Sequence, residues 1–442
     1  MPPMDALRNS LAGNLFSRED EGYGSVKRGR GSTPTDARWP QAIVQAKSVD
    51  DVARAIAFSR EHDLDLSVRS GGHDMLGAST SAAGLLLDLS LMDQVELDPA
   101  AARVRVGGGA LAEGLFDIGA PHGLAPVLGM SPDVGIGGLI LGGGIGWISG
   151  QFGAAVDHVV AIDVVTADGR AISASVHENP DLFWAMRGGG GNFGVATAFT
   201  LRMVPLREVV TASITYRAAD PAFLLTSVAE ILLEAGDPLD LDLSFTLGSD
   251  PHASVTLCWC GDRVAGERVA GRLSRIAGTV SHGTVMQPLA AFVGSQADGQ
   301  PMFLRGGELD HLGPPTVEAI AEVVGRGGPD GCSVGLLHYM HGELCRVPIN
   351  ATSFVRPKGH LLYNIVASTS DCAVEPAGIA WACATWESLR SVSSPRTYPN
   401  YLCNQDEGSI RAAFEPHYER LRVIKRAYDP DNVFHGNRNI RP

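Results

Sequence analysis

Glycine is spread along this chain in a way that limits its folds more than any other feature. Sixteen of the 53 glycines fall within residues 107–153, and three clusters stand out: RSGGHD (69–74), GMSPDVGIGG (129–138) and LGGGIG (141–146). Each glycine inside a helix costs about 1 kcal/mol relative to alanine, so long regular helices are disfavoured here. No three-residue period accompanies the enrichment, which excludes a collagen-like rod. Residues 134–156 carry no charge and superficially suit a membrane span, yet nine of those 23 residues are glycine. We read them as buried loop and turn. Consecutive glycines leave main-chain N–H groups unobstructed by Cβ atoms, and RSGGHD follows an extended run, a pairing that suits a main-chain nest for an anion. Turns alone would account for any single cluster. Three of them close together in an acidic chain favour a large bound cofactor.

The 442 residues include 49 Asp+Glu and 35 Lys+Arg, a formal charge of −14. That balance argues against nucleic acid or an anionic membrane as partner, since both reward clustered Lys and Arg. With 45% hydrophobic and 19% charged residues, the chain can fill a sizeable core in two or three domains. The seven cysteines all lie in the second half, odd in number and without a CxxC pair, so neither a zinc ribbon nor a thioredoxin-like motif is indicated. Reduced thiols in a cytoplasmic protein are expected. The first 20 residues show no basic-then-apolar secretory pattern.

Helix and strand signals alternate through the first half. Ser48 and Asp51 form a capping box ahead of an apolar helical face of Val52, Ala55 and Ile56, and LSVRSG, LLLDLS and VRVGGG read as extended runs. AVDHVVAIDVVTADGRAISAS alternates, turns at Ala167-Asp168-Gly169 and resumes, as an antiparallel hairpin would. Asn179 and Pro180 suit the N-cap and first position of a helix DLFWAMR that ends at Gly188, and VATAFTLRMVP reads as a strand. From about Arg207 glycine thins. Strands (TASITYR, LDLSFTLG, ASVTLCWC) then alternate with helices (AFLLTSVAEILLEAG, ERVAGRLSRIAG), as in an α+β domain on an antiparallel sheet. The last 40 or so residues turn charged and helical again.

Gly189-x-Gly191-x-x-Gly194 matches the dinucleotide fingerprint in letters only. A helix precedes it and a strand follows, the reverse of the order that aims a helix N-terminus at a pyrophosphate, so a nicotinamide-type Rossmann fold is not expected. His73, after a double glycine, sits on turning and accessible backbone. It suits an ordinary loop histidine, a base, a metal ligand or a covalent attachment point; without neighbouring His or Cys it is weak as a metal ligand, and no metal is expected.

Taken in order along nearly the whole chain, RSGGHD, GLLLDLS, RVGGGA, GMSPDVGIGGLILGGGIG, LFWAMRGGGGNFGV and YPNY…RLRVIKRAYDPDNVFHGNRNIRP resemble one family. It is the berberine-bridge-enzyme-like branch of the vanillyl-alcohol-oxidase (PCMH-type) FAD-linked oxidoreductases. The resemblance implies a two-domain α+β fold of PCMH type. Residues 1–206 and 398–442 would form the FAD-binding domain. Residues 207–397 would form a substrate-binding domain whose antiparallel sheet, covered by helices, lies over the flavin ring. It also implies that His73 is bonded to the flavin 8α-methyl carbon. Many members add a cysteinyl bond from a GxCPxVG motif. Ser131 occupies that cysteine position in GMSPDVG, so a single bond is implied, as in members similar to 6-hydroxy-D-nicotine oxidase.

By the same resemblance, the amides of Ser70, Gly71, Gly72 and His73 would cradle the pyrophosphate, with Arg69 and Asp74 nearby. Gly129, Met130, Ser131, Val134, Gly135, Gly137, Gly138, Gly142 and Gly146, together with Gly194 and Val195, would line the ribityl and adenine portions. Asn400 and Asn437 would donate hydrogen bonds to the flavin. The YPNY segment would bring Tyr398 and Tyr401 near the ring as candidates for the base that takes a substrate hydroxyl proton; on a strand Tyr398 would share a face with Asn400, which makes it the better of the two. LLHYMHGELCRVPINATSFVRP resembles the strand facing the ring, where His338, Tyr339 and His341 are the polar candidates for proton transfer. Gly335, Leu336 and Leu337 interrupt the charged pattern that the nicotine-oxidase-like members carry there. The implied activity is oxidation of a small organic alcohol or amine, of the kind used in secondary-metabolite tailoring, by hydride transfer to flavin N5. O2 or another acceptor would take the electrons, and the protein would be a monomer or homodimer. Carbohydrate oxidation, or flavin-bound sensing without turnover, are the alternatives.

Overall fold

The structure is a computed structural model and describes residues 4–28, 38–74, 77–295, 302–356, 358–368, 376–402 and 406–442. Cys372, Cys403 and the side chain of Leu337 lie outside the described set.

Strands β1 (Asn14–Ser17), β2 (Ala42–Gln45), β3 (Leu66–Arg69) and β4 (Leu85–Asp88) make a sheet of order β1-β2-β4-β3. β2 and β3 both run parallel to β4. The parallel pairing explains why LLLD is apolar without alternation: all four residues of β4 are buried. A helix, Val49–Glu61, crosses over between β2 and β3, and its Ser48–Asp51 capping box forms as the sequence predicts.

A second sheet follows. β5 (Val95–Asp98) and β6 (Arg103–Gly107) precede the two-residue β7 (Leu124–Ala125); then come β8 (Val159–Val165), β9 (Ala171–Ser175) and β10 (Val195–Arg202). The order is β5-β6-β10-β8-β9, antiparallel throughout, and β11 (Val204–Pro205) pairs with β7. The expected hairpin is β8–β9, turning at Gly169 with φ +82°. Asn179 does stand before the helix Pro180–Ala185, but it is left-handed (φ +46°) and makes no capping bond; its Nδ2 donates to the Ser173 carbonyl instead. The uncharged stretch contains two short helices, Ile136–Leu141 and Ser149–Phe152, joined by loop. Among the described residues no helix is long and apolar enough to cross a membrane.

The third sheet has seven strands: β12 (Glu208–Arg217), β13 (Leu239–Thr246), β14 (His252–Trp259), β15 (Thr279–Pro288), β16 (Met302–Leu309), β17 (Cys332–Tyr339) and β18 (Leu361–Ser368). They lie in the order β15-β12-β14-β13-β17-β18-β16, every pair antiparallel. One face is apolar: Leu243, Phe245, Val334, Leu336 and Ile365 pack with Leu225, Val228 and Leu232 of helix Pro221–Ala235 and with Ile320 of helix Pro314–Arg326. The opposite face turns toward the glycine-rich loops.

The C-terminal segment folds back onto the glycine turn that precedes β10. On helix Tyr418–Tyr428, the fully buried Lys425 Nζ donates to the Asn192 carbonyl (2.8 Å), Asp429 Oδ2 (2.6 Å) and the Phe434 carbonyl (2.9 Å). The Ile440 amide donates to Asn192 Oδ1 at 2.9 Å. These bonds hold residues 434–438 against residues 189–194. As expected, a helix precedes the Gly189–Gly194 fingerprint and a strand follows it.

Candidate functional site

Between the glycine-rich loops and the free face of the seven-stranded sheet lies a cavity of about 680 Å³. One wall consists of residues 70–74, 129–142, 190–196 and 434–438, each contributing several lining residues. The other is the sheet face, with Asp242, Ser244, Ser333, Gly335, His338 and Asn364. Tyr398, Asn400 and Tyr401 close one side.

The loop wall depends on backbone-to-backbone approach. A Cβ on Gly71 would stand 2.5 Å from the Gly135 nitrogen, so only glycine permits this contact. Ser70 Oγ ties the same junction, donating to the Gly108 carbonyl at 2.7 Å and accepting from the Gly137 amide at 3.3 Å. Two glycines of the wall instead face open space: a Cβ at Gly138 or Gly191 would meet no atom within 4 Å. Among the described residues, no acceptor takes the amides of Gly71, Gly72 or His73, and no side chain bonds the exposed His73 imidazole. Such donors on a glycine-rich wall fit a polyanionic, partly flat group such as a dinucleotide cofactor.

The sheet wall follows from alternation. In β13, odd-numbered residues enter the apolar core while Asp242 and Ser244 face the cavity. In β17 the cavity side is Ser333 and Gly335, and in β18 it is Asn364, Val366 and Ser368. A β-bulge between Leu337 and Tyr339 then changes the phase. The bulged residue is His338, with φ +47°, and it turns into the cavity while Tyr339 packs on the apolar core.

Burial sets the protonation of these groups. It pushes the Asp242 carboxyl up to about 7 and the His338 imidazole down to about 4, so at neutral pH His338 is uncharged. The Tyr398 phenol is pushed up to about 12 by burial, which outweighs its hydrogen bonds. Its oxygen accepts from the Gly144 amide (3.0 Å) and from Asn400 Nδ2 (2.9 Å), leaving its proton to donate. Tyr401 is likewise raised, by burial first and then by Tyr398.

Several expectations need correcting. Arg69 does not reach the cavity: its guanidinium is buried against Asp88 (2.7 Å) and the carbonyls of Lys27 and Val26. Gly146 is not a lining residue either. Tyr339 and His341 stack on each other outside the cavity, with ring centroids 5.4 Å apart. Tyr398 and Asn400 are neighbours through a tight 3-10 turn, Pro399–Tyr401, rather than through a strand. Asn400 and Asn437 do line the cavity, where Asn400 Nδ2 also donates to Tyr398 and to the Leu139 carbonyl (3.2 Å) and Asn437 Nδ2 to Asp74 Oδ2 (3.1 Å). Asp74 also holds Arg438 at 3.1 Å. The other loop residues named from the sequence, with Tyr398, Tyr401 and His338, do line the cavity.

Asp242, Ser244, Asn364 and Arg438 line it too and escaped sequence reasoning. For Asp242 and Ser244 the signal was the polar half of LDLDLSFT, which a solvent-facing strand would show equally well. Among the described residues no group of acidic, His or Cys side chains suits a metal ion.

Comparison with known proteins agrees with this geometry. A family model described as FAD binding domain matches residues 40–175, and one described as berberine and berberine like matches residues 397–441. The (R)-6-hydroxynicotine oxidase of Paenarthrobacter nicotinovorans is 30% identical over 98% of this chain and 97% of its own. The crystal structure of 6-hydroxy-D-nicotine oxidase from Arthrobacter nicotinovorans superposes with a TM-score of 0.88 at 27% identity, covering 98% of each chain. Berberine bridge enzyme from Eschscholzia californica shares the fold, with a TM-score of 0.88 at 20% identity over 99% of each chain. This chain is an FAD-binding oxidoreductase and belongs to the berberine-bridge-enzyme-like branch of the vanillyl-alcohol-oxidase (PCMH-type) FAD-linked oxidoreductases.

Proposed function

We propose that this enzyme holds its FAD by one covalent bond, from His73, and oxidises a small organic alcohol or amine bound between the flavin and the sheet wall. Residues 1–206 and 398–442 would carry the cofactor, and residues 207–397 the substrate. The observation that supports this reading is the cavity itself, with amides and an imidazole that bond no described residue on one wall and a polar sheet face on the other. When bound, FAD supplies a hydride acceptor at N5.

The chain's own groups divide the remaining work. The amides of Gly71, Gly72 and His73 would hold phosphate oxygens, and the His73 imidazole would fix the ring. Ser131 lines the cavity but has no sulfur with which to make a second bond. Tyr398 donates its proton outward while Gly144 and Asn400 hold its oxygen, which orients a substrate acceptor atom and makes this phenol a poor base. His338, neutral and in the cavity with Tyr401 6.2 Å away between ring centroids, accepts or donates one hydrogen bond. The sheet face also keeps bulk water from the reacting carbon.

Anaerobic titration of the flavin-loaded enzyme with panels of amines, alcohols and sugars tests the substrate class. Bleaching of the flavin absorbance by an amine or alcohol is expected. Bleaching by sugars alone would favour a carbohydrate oxidase, and a flavin that none of them reduces would favour a binding role.

A further inference from the structure

The fully buried carboxyls among the described residues all meet a donor. Asp51 accepts from the amides of Ala12 (2.8 Å) and Gly13 (3.0 Å), Asp88 from Arg69 (2.7 Å), and Asp240 from the Gly150 amide (3.1 Å). Glu308 is paired with His360 (2.6 Å) and Asp429 with Lys425 (2.6 Å). Asp242 differs from them: it is half-buried at the cavity surface, and its inner oxygen, Oδ1, is shielded from water and has no hydrogen-bond partner among the described residues. It lines the cavity on the sheet side, close enough to Tyr401 for its charge to act on that phenol. Arg438, the lone Lys or Arg among the described lining residues, is already bonded to Asp74.

We propose that Asp242 is a specificity-determining residue that receives the cationic nitrogen of the substrate, so that the molecule bound is a small amine in preference to a neutral alcohol or sugar. The inference rests on the cavity being the substrate site, as read above. Its physical basis is the cost of an uncompensated carboxylate in a water-poor site. An ammonium N–H donor supplies both a charge and a hydrogen bond, which is roughly twice as strong as a neutral pair. A hydroxyl supplies only the hydrogen bond. The neighbouring His338 and Tyr401 are uncharged near neutrality and offer no competing cation.

The test is calorimetric titration of the flavin-loaded protein under anaerobic conditions at pH 8, with benzylamine and benzyl alcohol as a charged and a neutral probe of similar shape. The wild-type chain is expected to bind benzylamine about tenfold or more tightly than benzyl alcohol. Asp242→Asn, which keeps the shape and removes the charge, is expected to bring the two affinities within about twofold of each other. Asp242→Ser serves as a second variant if the amide disturbs flavin loading. A wild-type ratio near one, or a preference that survives both substitutions, overturns the assignment. Flavin content, read from absorbance beforehand, separates the two levels: protein that takes up no flavin overturns the underlying cavity reading, whereas loaded protein without amine preference overturns the role of Asp242 alone.

Discussion

Asp242 carries a stability cost whose pH dependence follows from its cause. Burial alone raises its carboxyl from 3.8 to about 7. Below the unfolded value both states are protonated and there is no penalty; as pH rises the unfolded chain ionises first, and the penalty grows until the folded group ionises near 7. The groups sharing its cavity do not disguise this, since Tyr401 stays protonated throughout and His338 is already neutral above about 5. Asp242→Asn is therefore expected to stabilise the ligand-free protein, by up to about 4 kcal/mol at pH 8 and by clearly less at pH 5. Denaturant melts of both proteins at the two pH values measure it; a gain that does not change with pH would contradict burial as the cause. Residues like this one were the least legible in the sequence. Alternation gave the side of β13 on which Asp242 lies, but nothing local indicates that distant glycine loops cover that side.

Elements were read more successfully than residues. The alternating runs became β12, β13 and β14, and the helix-before-strand context of Gly189–Gly194 correctly excluded a Rossmann turn. A bulge is harder to foresee: one extra residue at His338 exchanged the faces of His338 and Tyr339, and no turn residue marks it. The glycines of the loop wall separate two duties that their sequence context does not distinguish. A Cβ at Gly135 would overlap the Gly71 backbone, whereas one at Gly138 would meet only open space. Gly135→Ala is expected to lower stability by about 1–3 kcal/mol or abolish folding, because main chain must move. Gly138→Ala is expected to melt like the wild type but load less flavin. Thermal melts paired with the ratio of flavin to protein absorbance distinguish the two, and normal loading in Gly138→Ala would show that its open side does not face the cofactor.

At the scale of the whole molecule, the order of the motifs carried the family and the cofactor, because so many glycine-dependent contacts had to recur together. It did not reveal how the tail is held. Lys425 ties the C-terminal helix to the glycine turn at Asn192 and to its own tail at Asp429 and Phe434, through three buried bonds. Lys425→Ala leaves Asp429 buried without its partner and is expected to cost about 3–5 kcal/mol, while Lys425→Met with Asp429→Asn should cost much less. Denaturant midpoints of the single and double variants check this, and equal losses would mean that the charge pair is not the source.

The proposed tether between chain and flavin is tested directly by intact-mass spectrometry of the denatured, flavin-loaded protein. We expect the sequence mass plus one FAD less two hydrogens, the N–H and C–H lost on bonding, an adduct that proteolysis maps to the peptide containing His73 and that disappears in His73→Ala. A yellow preparation whose denatured chain shows only its sequence mass, or His73→Ala still carrying the adduct, would contradict the assignment.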